Sequence, residues 1–363
     1  MVRKLDGGVS PDDRGRRARW EAIRLGLLLC GLGLALWLGA APPAWSSPRE
    51  ARQLFPIQQQ GKWGYMDRTG KVVIPAEFDS AGEFSEGRAW VEKDLKRGFI
   101  DPSGKVVIPF SFTSTNDFAE GLAGVAVPGK GLGFIDQTGA MVISPRFEAV
   151  ENFSEGLAAV LIQGKYGFIN KSGKVVIPAR YEVTVEDAAS PSFAEGRARV
   201  RLQRRVGYLD RTGQMVIPAD YADGFPFAEG LAVVKVGEKY GFIDRSGKMV
   251  ISAQFTQALS FSEGLAPVAL EEQWGYIDKT GKVVIPAQFY RAHPFSEGLA
   301  AVELEGKYGY IDKTGRMVIP PRFMVTVEGD TVSFWGGLAA VELDEDRWGY
   351  IDKTGKLIRQ SGD

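Results

Sequence analysis

The sequence predicts an all-β fold, a tandem array of about nine three-stranded antiparallel units of roughly 34 residues each. Three observations predict it. A Gly-aromatic-aliphatic-Asp motif starts at Gly64, Gly98, Gly133, Gly167, Gly207, Gly241, Gly275, Gly309 and Gly349, with Asn170 once replacing the Asp. A second motif, Phe-Ser/Ala-Glu-Gly, ends at Gly87, Gly121, Gly156, Gly196, Gly230, Gly264 and Gly298, with an eroded copy at Phe334, Trp335, Gly336 and Gly337. Between these landmarks lie short apolar runs bounded by glycine-containing turns, the signature of hairpins.

The segment LAAVELEGKYGYIDKTGRMVIP, residues 299–320, carries every element of one unit in order. LAAVEL is the first strand and EGK its turn. YGYID is the second strand. In the next turn, DKTG, Asp312 can accept backbone N–H bonds and Gly315 can adopt a left-handed conformation. RMVIP is the third strand, and Pro320 suits its end because it has no N–H to offer a neighbour. A glycine inside the second strand, as at Gly64 or Gly309, weakens it unless another group comes close. The expected group is an aromatic ring from the neighbouring unit.

One such unit buries too little apolar surface to offset the entropy of ordering it, so units must stack. The first unit, LFPIQQQGKWGYMD, and the last, WGYIDKTGKLIRQ, both look whole, whereas many closed rings split one unit between the chain ends. The expectation is therefore an open, twisted or superhelical stack, favoured over a closed β-propeller. Two connectors are longer, at residues 183–187 and 325–330, where VTVE recurs 142 residues apart. A stack turning once per roughly four units would bring both to one side.

The array is assigned to residues 54–360, behind a linker at 47–53 and a leader at 1–46. The leader has seven basic residues in its first 24, then an uncharged apolar run at 25–41 and small residues before Ser46. That pattern describes a secretory signal peptide cut near Ser46. A retained membrane anchor is the alternative, with membrane contact only through residues 23–44. Either reading places the array outside the cytoplasm, secreted or periplasmic.

Composition narrows the chemistry. The 363 residues hold 44 Lys and Arg against 45 Asp and Glu, a net charge of −1, so no basic field attracts nucleic acid. There is one cysteine, Cys30, and one histidine, His293. A Cys/His zinc site lacks ligands, and any Ser-His-Asp system would have to use His293. No cofactor, metal site or catalytic residue is expected. Eight motif carboxylates, Asp67, Asp101, Asp136, Asp210, Asp244, Asp278, Asp312 and Asp352, read as structural turn caps. The Glu of the second motif forms another acidic row, but one carboxylate per unit does not converge on a metal. The ligand-binding candidates are the aromatics Trp63, Tyr166, Tyr240, Trp274, Tyr308 and Trp348, since such faces stack on sugars or anchor protein interfaces.

The segment GKWGYMDRTGKVVIPAEFD, residues 61–79, followed by FSEGRA, resembles the WG (KWG) repeat family of bacterial β-rich tandem-repeat proteins. The likeness runs over residues 54–360. Trp63, Trp274 and Trp348 keep the tryptophan that names the family. Tyr166, Tyr240 and Tyr308 substitute for it, and Arg97, Leu132 and Val206 depart further. The resemblance implies an architecture and an exported or envelope context, and it carries no shared active site. The function expected is a non-enzymatic scaffold binding another envelope or extracellular protein. A polysaccharide- or peptidoglycan-binding protein using the repeat aromatics is the alternative, and a hydrolase on a repeat scaffold a distant third.

Overall fold

The structure is a computed structural model and describes residues 53–182, 191–324, 332–344 and 347–362. The leader and the two longer connectors, 183–187 and 325–330, lie outside the described residues. Among the described residues no helix is long and apolar enough to cross a membrane.

Each repeat folds into one small antiparallel sheet. In the first, the strands Leu54–Gln59, Lys62–Asp67 and Val72–Phe78 lie side by side in that order. The described residues form nine such sheets, here blades 1 to 9. Blades 2 to 8 are four-stranded rather than three-stranded. The connector supplies a two-residue strand, such as Ser80–Ala81 in blade 2, which pairs with Ala89–Lys93. The second motif makes the tightest turn. Glu86 and Gly87 both take positive φ, 50° and 75°, while Ser85 and Arg88 exchange backbone hydrogen bonds of 2.8 and 2.9 Å. Two successive left-handed residues match the right-handed twist of the flanking strands.

The glycine inside each second strand is explained by close approach, but not by a ring. A Cβ on Gly64 would sit 2.5 Å from the Ile74 carbonyl oxygen and 2.7 Å from the Ala76 nitrogen. These belong to the third strand of the same blade, where the register shifts in a bulge. Backbone, not a neighbour's aromatic side chain, excludes every larger residue.

The apolar core lies between blades. Leu54, Tyr65, Ile74 and Phe78 of blade 1 pack on Ala89, Val91 and Ile100 of blade 2. An aromatic pair recurs at the junctions: Tyr65 meets Phe84 edge-on at 4.9 Å, Phe99 meets Phe118 at 4.9 Å, and Tyr276 meets Phe295 at 4.9 Å. Each such pair adds about 1 kcal/mol beyond its buried area.

The expected open stack is overturned by the contacts between blades 9 and 1. Phe55 of blade 1 meets Trp335 at 5.6 Å and Tyr350 at 5.5 Å, and Trp63 stacks on Trp348 at 6.1 Å. Phe55, Ile57 and Met66 share one buried cluster with Leu338 and Tyr350. Gly362 N–H donates to the Gln58 carbonyl at 3.1 Å. Arg359 donates to the Gly70 carbonyl at 3.0 Å, as Arg146 does to Gly173 at 2.5 Å at an internal junction. The nine sheets thus form a closed ring, a nine-bladed β-propeller, and no superhelical turn of four units exists. Whole terminal repeats can close a ring because closure here needs face-to-face packing of blades, not an exchanged strand.

Candidate functional site

The turn carboxylates are engaged within their own turns. Asp67 Oδ1 accepts from the Thr69 N–H at 2.9 Å, the Thr69 hydroxyl at 2.5 Å and the Lys71 N–H at 3.2 Å. Asp101, Asp136, Asp210, Asp244, Asp278, Asp312 and Asp352 repeat this pattern, and the Asn170 side-chain oxygen does the same. The Thr314 hydroxyl bond leads the effects that hold Asp312 down to about 2.

The second row of acids has a role that the sequence reading missed. Each Glu accepts the N–H of the equivalent glycine in the next repeat: Glu86 from Gly121 at 2.8 Å, Glu195 from Gly230 at 2.8 Å, Glu229 from Gly264 at 3.1 Å, Glu297 from Gly337 at 3.0 Å. A cation from the Asp turn completes most clamps, as in Arg245–Glu195 at 2.6 Å, Lys279–Glu229 at 3.0 Å and Lys313–Glu263 at 3.0 Å. The signal was the spacing itself: one acid per repeat, in step with one basic residue in the Asp turn.

At the seam the clamp changes partners. The Glu position is Gly336 and the glycine position is Gln53, whose side chain lies where a Cβ on Gly336 would be, 2.1 Å away. The eroded eighth copy of the motif is therefore the mark of ring closure.

The six aromatics are incorporated into blade cores. Tyr166 and Tyr308 are buried; Trp63, Tyr240, Trp274 and Trp348 are half-buried. Only Trp63 and Trp348 are brought together, by the seam. Tyr166 donates its hydroxyl to Glu151 at 3.5 Å, and the Tyr308 hydroxyl bonds His293 Nε2 at 3.1 Å. Glu151 and His293 stand at the same place in their connectors, so these two tyrosines meet a polar partner there, whereas Tyr240 has Phe225 at that place. Burial pushes His293 down to about 4, which keeps the ring neutral near pH 7. Among the described residues, no group of three or more His, Cys, Asp and Glu could hold a metal ion.

A dense departure from the repeat lies between blades 2 and 3. Arg97 replaces the tryptophan of the WG pair, and its guanidinium lies 4.0 Å over the ring of Trp90. Trp90 itself stands where blades 3, 4 and 8 have Gly124, Ala159 and Ala301. Arg97 Nε bonds Glu92 at 3.0 Å, and the Trp90 indole donates to Asp117. Asp117 and Glu83 precede the motif phenylalanines Phe118 and Phe84, as Asn152 precedes Phe153; blades 5 to 9 have only Ser or Pro there. Burial pushes Asp117 up to about 6, against the pull of Arg97. Burial and then the neighbouring Asp117 push Glu83 up to about 7. Asp117 Oδ1 and Asn152 Oδ1 are buried and accept no hydrogen bond. Perturbed acids beside a cation and an aromatic mark candidate functional sites. The two acids change charge near neutral pH. The site's signal in the sequence was available, since Trp90 and Arg97 both break the repeat within one unit.

No curated protein matches the chain. Among solved structures, the eukaryotic initiation factor is similar in fold, with 10% identity and TM-score 0.59, over 85% of this chain and 96% of that one. The computationally designed Ika8 protein aligns with 11% identity and TM-score 0.48, over 84% and 98%. BamB from Moraxella catarrhalis aligns with 14% identity and TM-score 0.37, over 87% and 90%. At such identities the first likeness speaks to fold alone, and the other two carry no argument. The model for the WG containing repeat matches eight tandem segments, at 63–96, 98–130, 133–166, 166–203, 207–240, 240–272, 274–308 and 308–323. Together with nine blades built on one motif, this establishes that the chain belongs to the WG containing repeat family.

Proposed function

We propose that the chain is an exported, non-enzymatic scaffold whose propeller binds a protein partner at the cell envelope. The observation that supports this most is the use made of the repeated polar side chains. The Asp row holds turns and the Glu row ties blade to blade, so the repeated chemistry maintains a rigid ring. Several departures from the repeat fall together instead, around Trp90, Arg97, Glu83 and Asp117, as a specific docking site would require. Trp90 is buried and holds the Arg97 guanidinium in place, while Arg97 and Glu92 stay partly exposed as the polar groups a partner would meet. The glycan alternative needs free aromatic faces, and the six candidate rings are buried or half-buried. Export rests on the basic and apolar leader at residues 1–46.

The test is capture from envelope extract by purified protein, beside a glycan array and an Arg97→Gln variant with unchanged circular dichroism. One protein retained by the wild type and lost by the variant is the expected result. Binding to glycans with no protein retained overturns the reading. Sequencing the N-terminus of protein isolated from the envelope fraction tests export; a chain found only in the cytoplasm contradicts it.

A further inference from the structure

The third strand of every blade is the last in its sheet, so one side of its backbone has no partner strand. Such edges invite pairing with another chain, and proteins guard them with proline and charge. In this ring the guard has a fixed place. Ile74 O and Ala76 N lie against Gly64, so the residue between them, Pro75, faces away from its own sheet. A proline there removes the central outward donor. Pro109, Pro178, Pro218, Pro286 and Pro320 fill the same place in blades 2, 4, 5, 7 and 8. Blade 3 has Ser144 there, followed at once by Pro145 and Arg146. Blade 9 has a third strand of only four residues, Leu357–Gln360, and it includes Arg359.

Blade 6 is unguarded. Its third strand, Met249–Phe255, reads MVISAQF, with neither proline nor charge. Ser252 occupies the guard position. Ile251 O and Ala253 N both lie 2.7 Å from the Cβ place on Gly241, so Ser252 turns its N–H and carbonyl outward. Val250 is 44% exposed beside it, and Ser252 and Gln254 are exposed as well.

We propose that two copies of this chain associate through this strand, pairing antiparallel about a two-fold axis at Ser252. The strand suits its own copy. Centred on Ser252, the pairing sets Val250 opposite Gln254, Ile251 opposite Ala253 and Met249 opposite Phe255. No charge faces a charge and no proline enters the ladder. The flanking Lys248 falls opposite Thr256. The same operation on the third strands of blades 1 to 5, 7 and 8 puts a proline into the ladder. A two-fold contact of this kind is isologous and closes on itself, so it yields a dimer and not a fibre. The inference is independent of the partner proposed for blades 2 and 3.

Sedimentation equilibrium over a concentration series tests it. Ser252→Pro installs the guard of the other blades, and Gln254→Arg installs the charge that blades 3, 4 and 8 carry at that position in Arg146, Arg180 and Arg322. The expected result is a reversible dimer for the wild type, with the dimer dissociation constant raised at least tenfold in both variants and melting temperatures unchanged. The Arg variant keeps the test valid if the proline variant fails to fold. A wild type that sediments as a monomer at every concentration, or folded variants that dimerise as the wild type does, overturns the proposal.

Discussion

Tyr350 of blade 9 donates its hydroxyl to the carbonyl of Pro56 in blade 1 at 3.1 Å. That bond lies inside the aromatic cluster that closes the ring, and burial pushes the phenol far above its ordinary range. Tyr350→Phe keeps the ring packing and removes only the bond. A loss of about 1 kcal/mol is expected, or about 2–4 °C in melting temperature. A thermal melt unchanged by the substitution would show that this bond does not contribute to the stability of the seam.

The clamp between repeats gives a second test. Glu195 holds both Gly230 and Arg245, at 2.8 and 2.6 Å, from a left-handed backbone with φ of 54°. Glu195→Ala keeps the backbone cost and loses both partners, so it is expected to destabilise by about 1–2 kcal/mol. Glu195→Gln keeps an acceptor and costs less. Glu195→Gly relieves the left-handed residue and falls between them. Denaturant midpoints check that order, and equal midpoints for Ala and Gln would contradict the clamp.

At the seam the same logic predicts coupling. Gly336→Glu introduces a side chain into the space that Gln53 fills, and Gln53→Gly alone empties that space. Together they rebuild the clamp of the internal junctions. The double variant is expected to be more stable than the sum of the single effects implies, by about 1 kcal/mol in a double-mutant cycle. Strict additivity would show that the two positions do not meet.

The strand glycines separate two costs. Gly275→Ala drives a Cβ to 2.5 Å from the Ile285 oxygen and 2.7 Å from the Ala287 nitrogen, both backbone atoms that cannot yield cheaply. A loss of about 3 kcal/mol is expected. Gly264→Ala meets nothing within 4 Å and suffers only from its φ of +88°, at about 1 kcal/mol. Chemical denaturation checks the ranking, and the reverse order would contradict the bulge.

Much of this could be read from the repeat. The strands, the turns and the count of nine follow from motifs whose chemistry is local, such as Asp312 bonding Thr314 two residues away. What escaped is what depends on a neighbour. Gly64 demanded a close approach, but a sequence does not say whether a ring or a backbone approaches. Closure escaped because the seam uses the same packing as an internal junction, and its one mark, Gly336 for Glu, resembles decay. Trp90 and Arg97 broke the pattern, yet only the fold puts them beside Asp117.

The acid pair sets a pH dependence with a definite sign. Glu83 and Asp117 hold protons more tightly in the folded protein, at about 7 and about 6, than at their ordinary values of 4.5 and 3.8. Stability from this pair is therefore fully present below those ordinary values and lost as pH rises through 6 to 7. Glu83→Gln is expected to raise the melting temperature at pH 8 by about 2 °C, with a smaller effect at pH 5. A larger effect at pH 5 would contradict the assignment. Asp312 works in the opposite sense. Its value is depressed to about 2, so its contribution holds above 3.8 and fades as pH falls toward 2.

Closure itself is tested most directly by distance. Lys71 of blade 1 and Lys356 of blade 9 occupy the same place in their turns as Lys248 and Lys282 in the adjacent blades 6 and 7. Spin labels on cysteines at each pair, in a Cys30→Ser background, report both separations by pulsed electron resonance. In a closed ring the seam pair gives the same narrow distribution as the internal pair. A longer or broader distribution for Lys71 and Lys356, with the internal pair short, would mean that the first and ninth blades do not meet.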